Sequence, residues 1–189
     1  MASHIPTGSL RPHTTGGSTF PVFLSSADEA MQFRNRVQGL VQKSLNSQLS
    51  FRAWLQTFPV WRWEEMAATT VPAGGSANDL FVQKARESSV TIVLLRDRLR
   101  PGTKDELMAV KDDPEVELKV LWFPRRRLRF APETEVQRFL FGPDAKNIFH
   151  EKLARPNSED AWQTLAANLI DVLLMALRSD GRRPYVSRV

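Results

Sequence analysis

Cysteine is missing from all 189 residues, which removes disulfides, thiolate metal sites and cysteine nucleophiles from consideration. Imidazole is nearly missing too. Only His4, His13 and His150 can supply it, and the first two fall in Met1 to Ser18, a Ser/Thr/Gly/Pro-rich stretch without hydrophobic period that is expected to be flexible. No metal site and no bound cofactor are therefore expected. No apolar run approaches the roughly 20 residues needed to span a bilayer, and the N-terminus lacks the charged-then-apolar layout of a signal peptide. A soluble, cytoplasmic chain with no membrane partner is the expectation. The G-x-x-x-x-G-K-[ST] phosphate loop, G-x-G-x-x-G after a strand and the G-x-S-x-G elbow are also absent. Any catalysis falls to carboxylates, hydroxyls and the backbone.

What is present suits one globular domain: 42% of residues are hydrophobic and the length is right for a single full core. The net charge of +5, most of the excess being arginine, is compatible with a nucleotide or nucleic-acid partner. It is equally compatible with a solvated basic face.

The pattern alternates strand and helix. Phe20 to Leu24 reads as a strand buried on both faces. Ser26 and Glu29 fit an S-x-x-E capping box before a helix burying Phe33, Val37, Leu40, Val41 and Leu45. Leu49 to Leu55 alternates as a second strand, and the irregular stretch that follows carries Trp61 and Trp63. These tryptophans are either plugs for the sheet edge or a lid that stacks on a planar ring of a substrate. Ser76 and Asp79 cap a second helix ending near Glu87, and Gly74-Gly75-Ser76 before it could present backbone N–H groups to a phosphate or simply turn the chain. Val90 to Leu95, VTIVLL, is the clearest strand and should be central. A helix from about Thr103 to Asp112, a strand over Val116 to Phe123, a short helix over Glu133 to Phe141 and a long one over Asp160 to Arg178 complete the chain.

This order predicts an α/β class with a central parallel sheet of four to five strands and helices on both faces. The expected division is a flexible N-terminal arm over 1–19, one domain over 20–178 and a basic tail over 179–189. Within that domain a sheet core occupies 20–123 and a helical part 124–178.

In open parallel sheets, ligands sit beyond the carboxyl ends of strands, which places the basic loop Arg96 to Glu106 at the expected site. Glu106 has two readings. Thr103-Lys104-Asp105-Glu106 is a T-x-x-E capping box; the same carboxylate, after the central strand, is positioned for chemistry. Asp97 is either a ligand for a sugar hydroxyl or base, or half of an ion pair with a neighbouring arginine. Ser25 and Ser26 end the first strand where they could touch a ligand, and Arg125, Arg126, Arg127 and Arg129 form a basic cluster after the fourth strand.

Val22-Phe23-Leu24-Ser25-Ser26 with its following amphipathic helix resembles the opening of Toll/interleukin-1 receptor-like (TIR-like) domains. The nearest resemblance within that group is to bacterial TIR-like domains that share a fold with nucleoside 2-deoxyribosyltransferases. Gly75 to Leu107, and in particular Gly102-Thr103-Lys104-Asp105-Glu106-Leu107, resembles their Gly-Thr-x-x-Glu segment; the resemblance covers about Phe20 to Phe123. It implies a flavodoxin-like, TIR-like three-layer sandwich and cleavage of an N-glycosidic bond. The substrate would be NAD, NADP or a related nucleotide, with Glu106 as the catalytic carboxylate. Ser25, Ser26, Trp61, Trp63, Arg96, Asp97 and Thr103 are the candidate substrate contacts. Departure of a base leaves an oxocarbenium-like centre, which a carboxylate can stabilise or attack. The resemblance further implies a role in bacterial defence or signalling, with self-association or a sensor partner. The Trp-Cys pair of receptor and plant members is replaced by Gly102-Thr103. The two rival readings are a non-catalytic interaction module of the same fold and a basic nucleic-acid-binding domain.

Overall fold

Backbone order along the sheet follows directly from which strands can be buried on both faces. The computed structural model describes residues 20–47, 60–62, 75–125 and 132–182. The expected arm over 1–19, the expected strand Leu49 to Leu55, Trp63, Gly74, the arginines at 126, 127 and 129, and the tail beyond 182 lie outside the described residues. Five strands form one wholly parallel sheet in the order β2-β1-β3-β4-β5. They are β1 (Val22–Ser26), β2 (Val60–Arg62), β3 (Val90–Leu95), β4 (Glu117–Trp122) and β5 (His150–Lys152). The helices are α1 (Met31–Ser47), α2 (Ala77–Glu87), α3 (Pro101–Val110), α4 (Glu135–Leu140) and α5 (Glu159–Arg182). This is the flavodoxin-like order, a three-layer α/β fold, so the predicted class holds.

The period of two in the strands assigns the layers. Val22 and Leu24, then Val90, Ile92 and Leu94, then Leu121 and Phe123 point to one face, where they pack with Val37 and Val41 of α1 and Leu165 and Leu169 of α5. Phe23, Val93, Leu95, Val120 and Trp122 point to the other, against Ala85 of α2, Leu107 and Val110 of α3, and Val136 of α4. Every residue of β3 is buried. Each of its five aliphatic side chains contributes about 1.5–3 kcal/mol relative to exposure, which is why VTIVLL occupies the centre.

Two strands differ from the sequence expectation. The described second strand is Val60–Arg62, pairing Val22 with Val60 and Phe23 with Trp61. Trp61 therefore belongs to a strand rather than to an irregular loop, since a β-branched and an aromatic residue in succession suit an edge position. β5, a polar His-Glu-Lys triplet, has no hydrophobic pattern to announce it. It is held by backbone pairing to β4 and by the Lys119–Glu151 ion pair at 2.6 Å.

β1 lies between β2 and β3, so the chain leaves β1 in one direction and resumes at β3 in the other. That reversal makes the carboxyl ends of β1 and β3 the crevice where the two connections part. Among the described residues no helix is long and apolar enough to cross a membrane.

Candidate active site

α3 brings a carboxyl group to this crevice because its helical stripe faces the sheet. Thr103, Glu106, Leu107 and Val110 are its buried residues, spaced three, one and three apart as one face of a helix requires. Leu107 and Val110 sit in the hydrophobic layer; Glu106, nearer the strand ends, takes a position where an apolar residue would otherwise stand.

The helix frame removes the capping reading of Glu106. α3 begins at Pro101, with Arg100 as N-cap and no side-chain cap bond. Proline is favoured at that first position because its missing N–H has no partner to lose. Thr103 thus lies inside the first turn, not at its start, and the expected T-x-x-E box is not formed. Glu106 is in the second turn, facing inward. A cap explains nothing about it.

Its partner comes from β1. Phe23 faces the α2/α3 layer, so Ser25, two residues on, faces it as well, and its hydroxyl donates to Oε2 of Glu106. Both groups are buried, Ser25 at 1% and Glu106 at 6% exposure. Burial pushes the Glu106 carboxyl up to about 7; the Ser25 hydrogen bond pulls it down and neighbouring Asp105 raises it further. The carboxyl is thus poised to change protonation near neutrality.

Ser26, on the opposite side of the strand, accepts a hydrogen bond from Nη1 of Arg34 at 3.0 Å. The expected S-x-x-E box is replaced by a longer-range contact. Oε1 of Glu29 accepts from the backbone N–H of Asp97 at 3.1 Å and of Arg98 at 2.7 Å. A carboxylate from the 3-10 turn that precedes α1 therefore pins the loop between β3 and α3.

Around Glu106 lies an open cleft of about 330 Å³, lined by Ser26, Ala27, Asn78, Phe81, Arg100, Gly102, Thr103 and Glu106. Of the residues singled out in the sequence, Ser26, Thr103 and Glu106 line it, and Ser25 lies directly behind. Arg96 and Asp97 do not. Nη1 of Arg96 donates to the Glu29 carbonyl at 3.1 Å and its guanidinium lies 5.2 Å from the Phe33 ring. Asp97 pairs with Nε of Arg125 at 2.9 Å, the ion-pair alternative. Both residues line cavities away from Glu106. The backbone of Trp61 belongs to β2.

Asn78 and Phe81 escaped the sequence reading. Their spacing of three places them on one face of α2, and that periodicity was the available signal. Nδ2 of Asn78 donates to Asp105 at 2.9 Å, tying α2 to α3. A Cβ on Gly102 would meet Oδ1 of Asn78 at 2.8 Å, so glycine permits this close approach. The suggested phosphate contact at Gly75-Ser76 meets an obstacle. Ser76 and Asp79 form the predicted capping box, and the Ser76 backbone and hydroxyl hold the Asp79 carboxyl below its usual range. A carboxylate already occupies that helix end.

Among the described residues no group of three His, Asp or Glu is arranged to hold a metal ion. The chemistry available is that of one buried carboxyl, a serine that orients it, a threonine hydroxyl and a cation at the rim.

No protein-family model matches the chain, and no curated protein matches it either. Among solved structures it is similar to that of a CMP N-glycosidase, BcmB, from Clostridium botulinum, at 18% identity and a TM-score of 0.43, over 78% of this chain and 98% of that one.

Proposed function

We propose that the chain cleaves the N-glycosidic bond of a nucleotide, with NAD as the first candidate and Glu106 as the catalytic carboxylate. The observation that carries this reading is the Glu106 carboxyl, buried in an open cleft at the β1/β3 strand ends with Ser25 bonded to one of its oxygens.

In the proposed reaction the bond from C1′ of the ribose to the base nitrogen breaks, and its electron pair leaves with the base. Nicotinamide departs neutral and needs no proton. The ribosyl centre left behind is positively charged, and an ionised Glu106 stabilises it electrostatically or bonds to it. Water then supplies oxygen to C1′, expelling the Glu106 carboxylate with its electron pair where a bond to C1′ has formed, and loses one proton to Glu106 or to solvent. Ser25 is a positioning residue: by donating to Oε2 it fixes the carboxylate at the cleft wall. Arg100 at the rim suits the diphosphate, since its guanidinium recognises phosphate oxygens in pairs.

Concentrated protein is incubated with NAD, NADP and deoxynucleosides, and base release is followed by chromatography. Base release by the wild type and its loss in a folded Glu106→Gln chain support the reading. Failure of the wild type to consume any of these substrates, even at concentrations that favour self-association, overturns it.

A further inference from the structure

A second cavity, of about 600 Å³, opens on the α1/α5 side of the same sheet edge. Its lining includes Arg96, Arg125 and Arg155 and no aspartate or glutamate. Three guanidiniums, of which one is engaged by the Asp97 carboxylate from outside the lining, make a positive concavity, and such a concavity attracts anions. Nε of Arg96 is buried and has no hydrogen-bond partner among the described residues. A buried polar atom left unpaired is uncommon and calls for a partner. In Arg125 the Asp97 carboxylate engages Nε at 2.9 Å, which orients the guanidinium while its two terminal nitrogens remain the donors for a ligand. Arg155 stands exposed in the segment that leads into α5.

The rest of the wall is mixed, with Gln32, Asn157 and Ser158 polar and Phe33, Phe123 and Ala154 apolar. Phe33 stacks on Phe123 with centroids 4.4 Å apart and planes within 6°, and Trp162 packs against both rings. Pro124 and Pro156 complete it. Flat apolar surface beside fixed cations is the combination that holds a planar ring joined to a phosphate. The volume lies within the roughly 300–1,000 Å³ of small-molecule sites.

We propose that this cavity is a second ligand site, distinct from the Glu106 cleft, for a phosphate-bearing ligand of nucleotide size. The guanidiniums take the phosphate oxygens in paired hydrogen bonds, and the apolar surface of Pro124, Ala154 and Pro156 takes the ring. Inorganic phosphate shares the charged half of that chemistry and occupies the arginines alone, more weakly.

The test is calorimetric titration of the full chain with ADP and, separately, with inorganic phosphate at fixed ionic strength. Wild type, Glu106→Gln, Arg155→Gln and Arg125→Gln are compared. The expected result is saturable binding of one ADP, unchanged in Glu106→Gln, weakened about tenfold or more in each arginine variant, and displaced by phosphate. Arg155 is exposed, so its replacement leaves folding intact. Three results overturn the proposal: no ADP binding by wild type, ADP binding indifferent to both arginine variants, or ADP binding lost in Glu106→Gln, which would put the ligand in the other cleft.

Discussion

Ser25 and Glu106, 81 positions apart in the chain, meet through a buried hydrogen bond in which the serine hydroxyl donates to the carboxyl. One is the penultimate residue of β1 and the other lies in the second turn of α3, so the bond closes the crevice between the two strands whose connections diverge. Both groups face inward, and the pair depends on β1 register as much as on α3 frame.

Replacing Glu106 with glutamine should separate activity from stability. Activity is expected to fall on the order of 10²–10³-fold, the usual loss when a charge that stabilises the transition state is removed. Stability should move the other way. The folded carboxyl titrates at about 7 instead of the ordinary 4.5, so between those values the folded state binds more protons than the unfolded one. Wild-type stability therefore declines as pH rises from about 4.5 to about 7 and stays low above it. The full penalty is roughly 3 kcal/mol, and it is absent below pH 4.5. Urea unfolding across this range should show the decline in wild type and a clearly shallower one in Glu106→Gln, where the Glu117 carboxyl, also raised by burial, still contributes.

Ser25→Ala should displace the pH profile. If the ionised carboxylate is the working form, kcat/KM rises with pH and levels off above about 7. The serine hydrogen bond lowers the carboxyl pKa, so its removal must shift the inflection upward. A profile that loses height without moving would mean that Ser25 only packs.

The contact between α2 and α3 can be tested at Gly102. A methyl group there collides with the Asn78 side chain, whose far end must swing and release Asp105. Gly102→Ala should cost about 1 kcal/mol and raise KM by altering the cleft mouth. In an Asn78→Ala background the same change should become neutral or stabilising by about 0.5–1 kcal/mol, because alanine is the better helix former. A double-mutant cycle by thermal unfolding reads the coupling.

Glu29→Ala should loosen the β3–α3 loop. Two backbone N–H groups, of Asp97 and Arg98, lose their carboxylate acceptor, at a cost of about 1.5–3 kcal/mol for such charge-assisted bonds. Hydrogen exchange should speed up at those two amides first, while β3 amides stay protected.

The legible parts of the molecule were those whose residues can do only one thing. VTIVLL in β3 is β-branched or aliphatic throughout and found the centre of the sheet, and the α1 stripe from Phe33 to Leu45 met α5 and the sheet as its spacing required. The helix containing Glu106 was legible as a helix but not in its frame. Pro101 starts it two residues ahead of Thr103, turning an apparent cap into an inward-facing carboxyl. Ser26 and Glu29 mimicked a cap in the same way, while their partners, Arg34 and the Asp97–Arg98 amides, are set by tertiary contacts. β5 was invisible because His150, Glu151 and Lys152 carry no apolar signal. Asn78 and Phe81 lie far from Glu106 in the chain, and only the docking of α2 on α3 brings them to its cleft.

The strap from Arg96 to Arg100 has a kinetic consequence. Arg96 lines one cavity and Arg100 the other, with Arg98 exposed between them and Glu29 fastening the backbone. Anions diffusing toward either side of the sheet edge meet the same positive rim before they make any contact. The encounter rate, more than the final affinity, should depend on that rim. It should slow as ionic strength rises and the Debye length shrinks toward about 3 Å at 1 M, and Arg98→Gln should slow capture at both faces at once while leaving dissociation nearly unchanged.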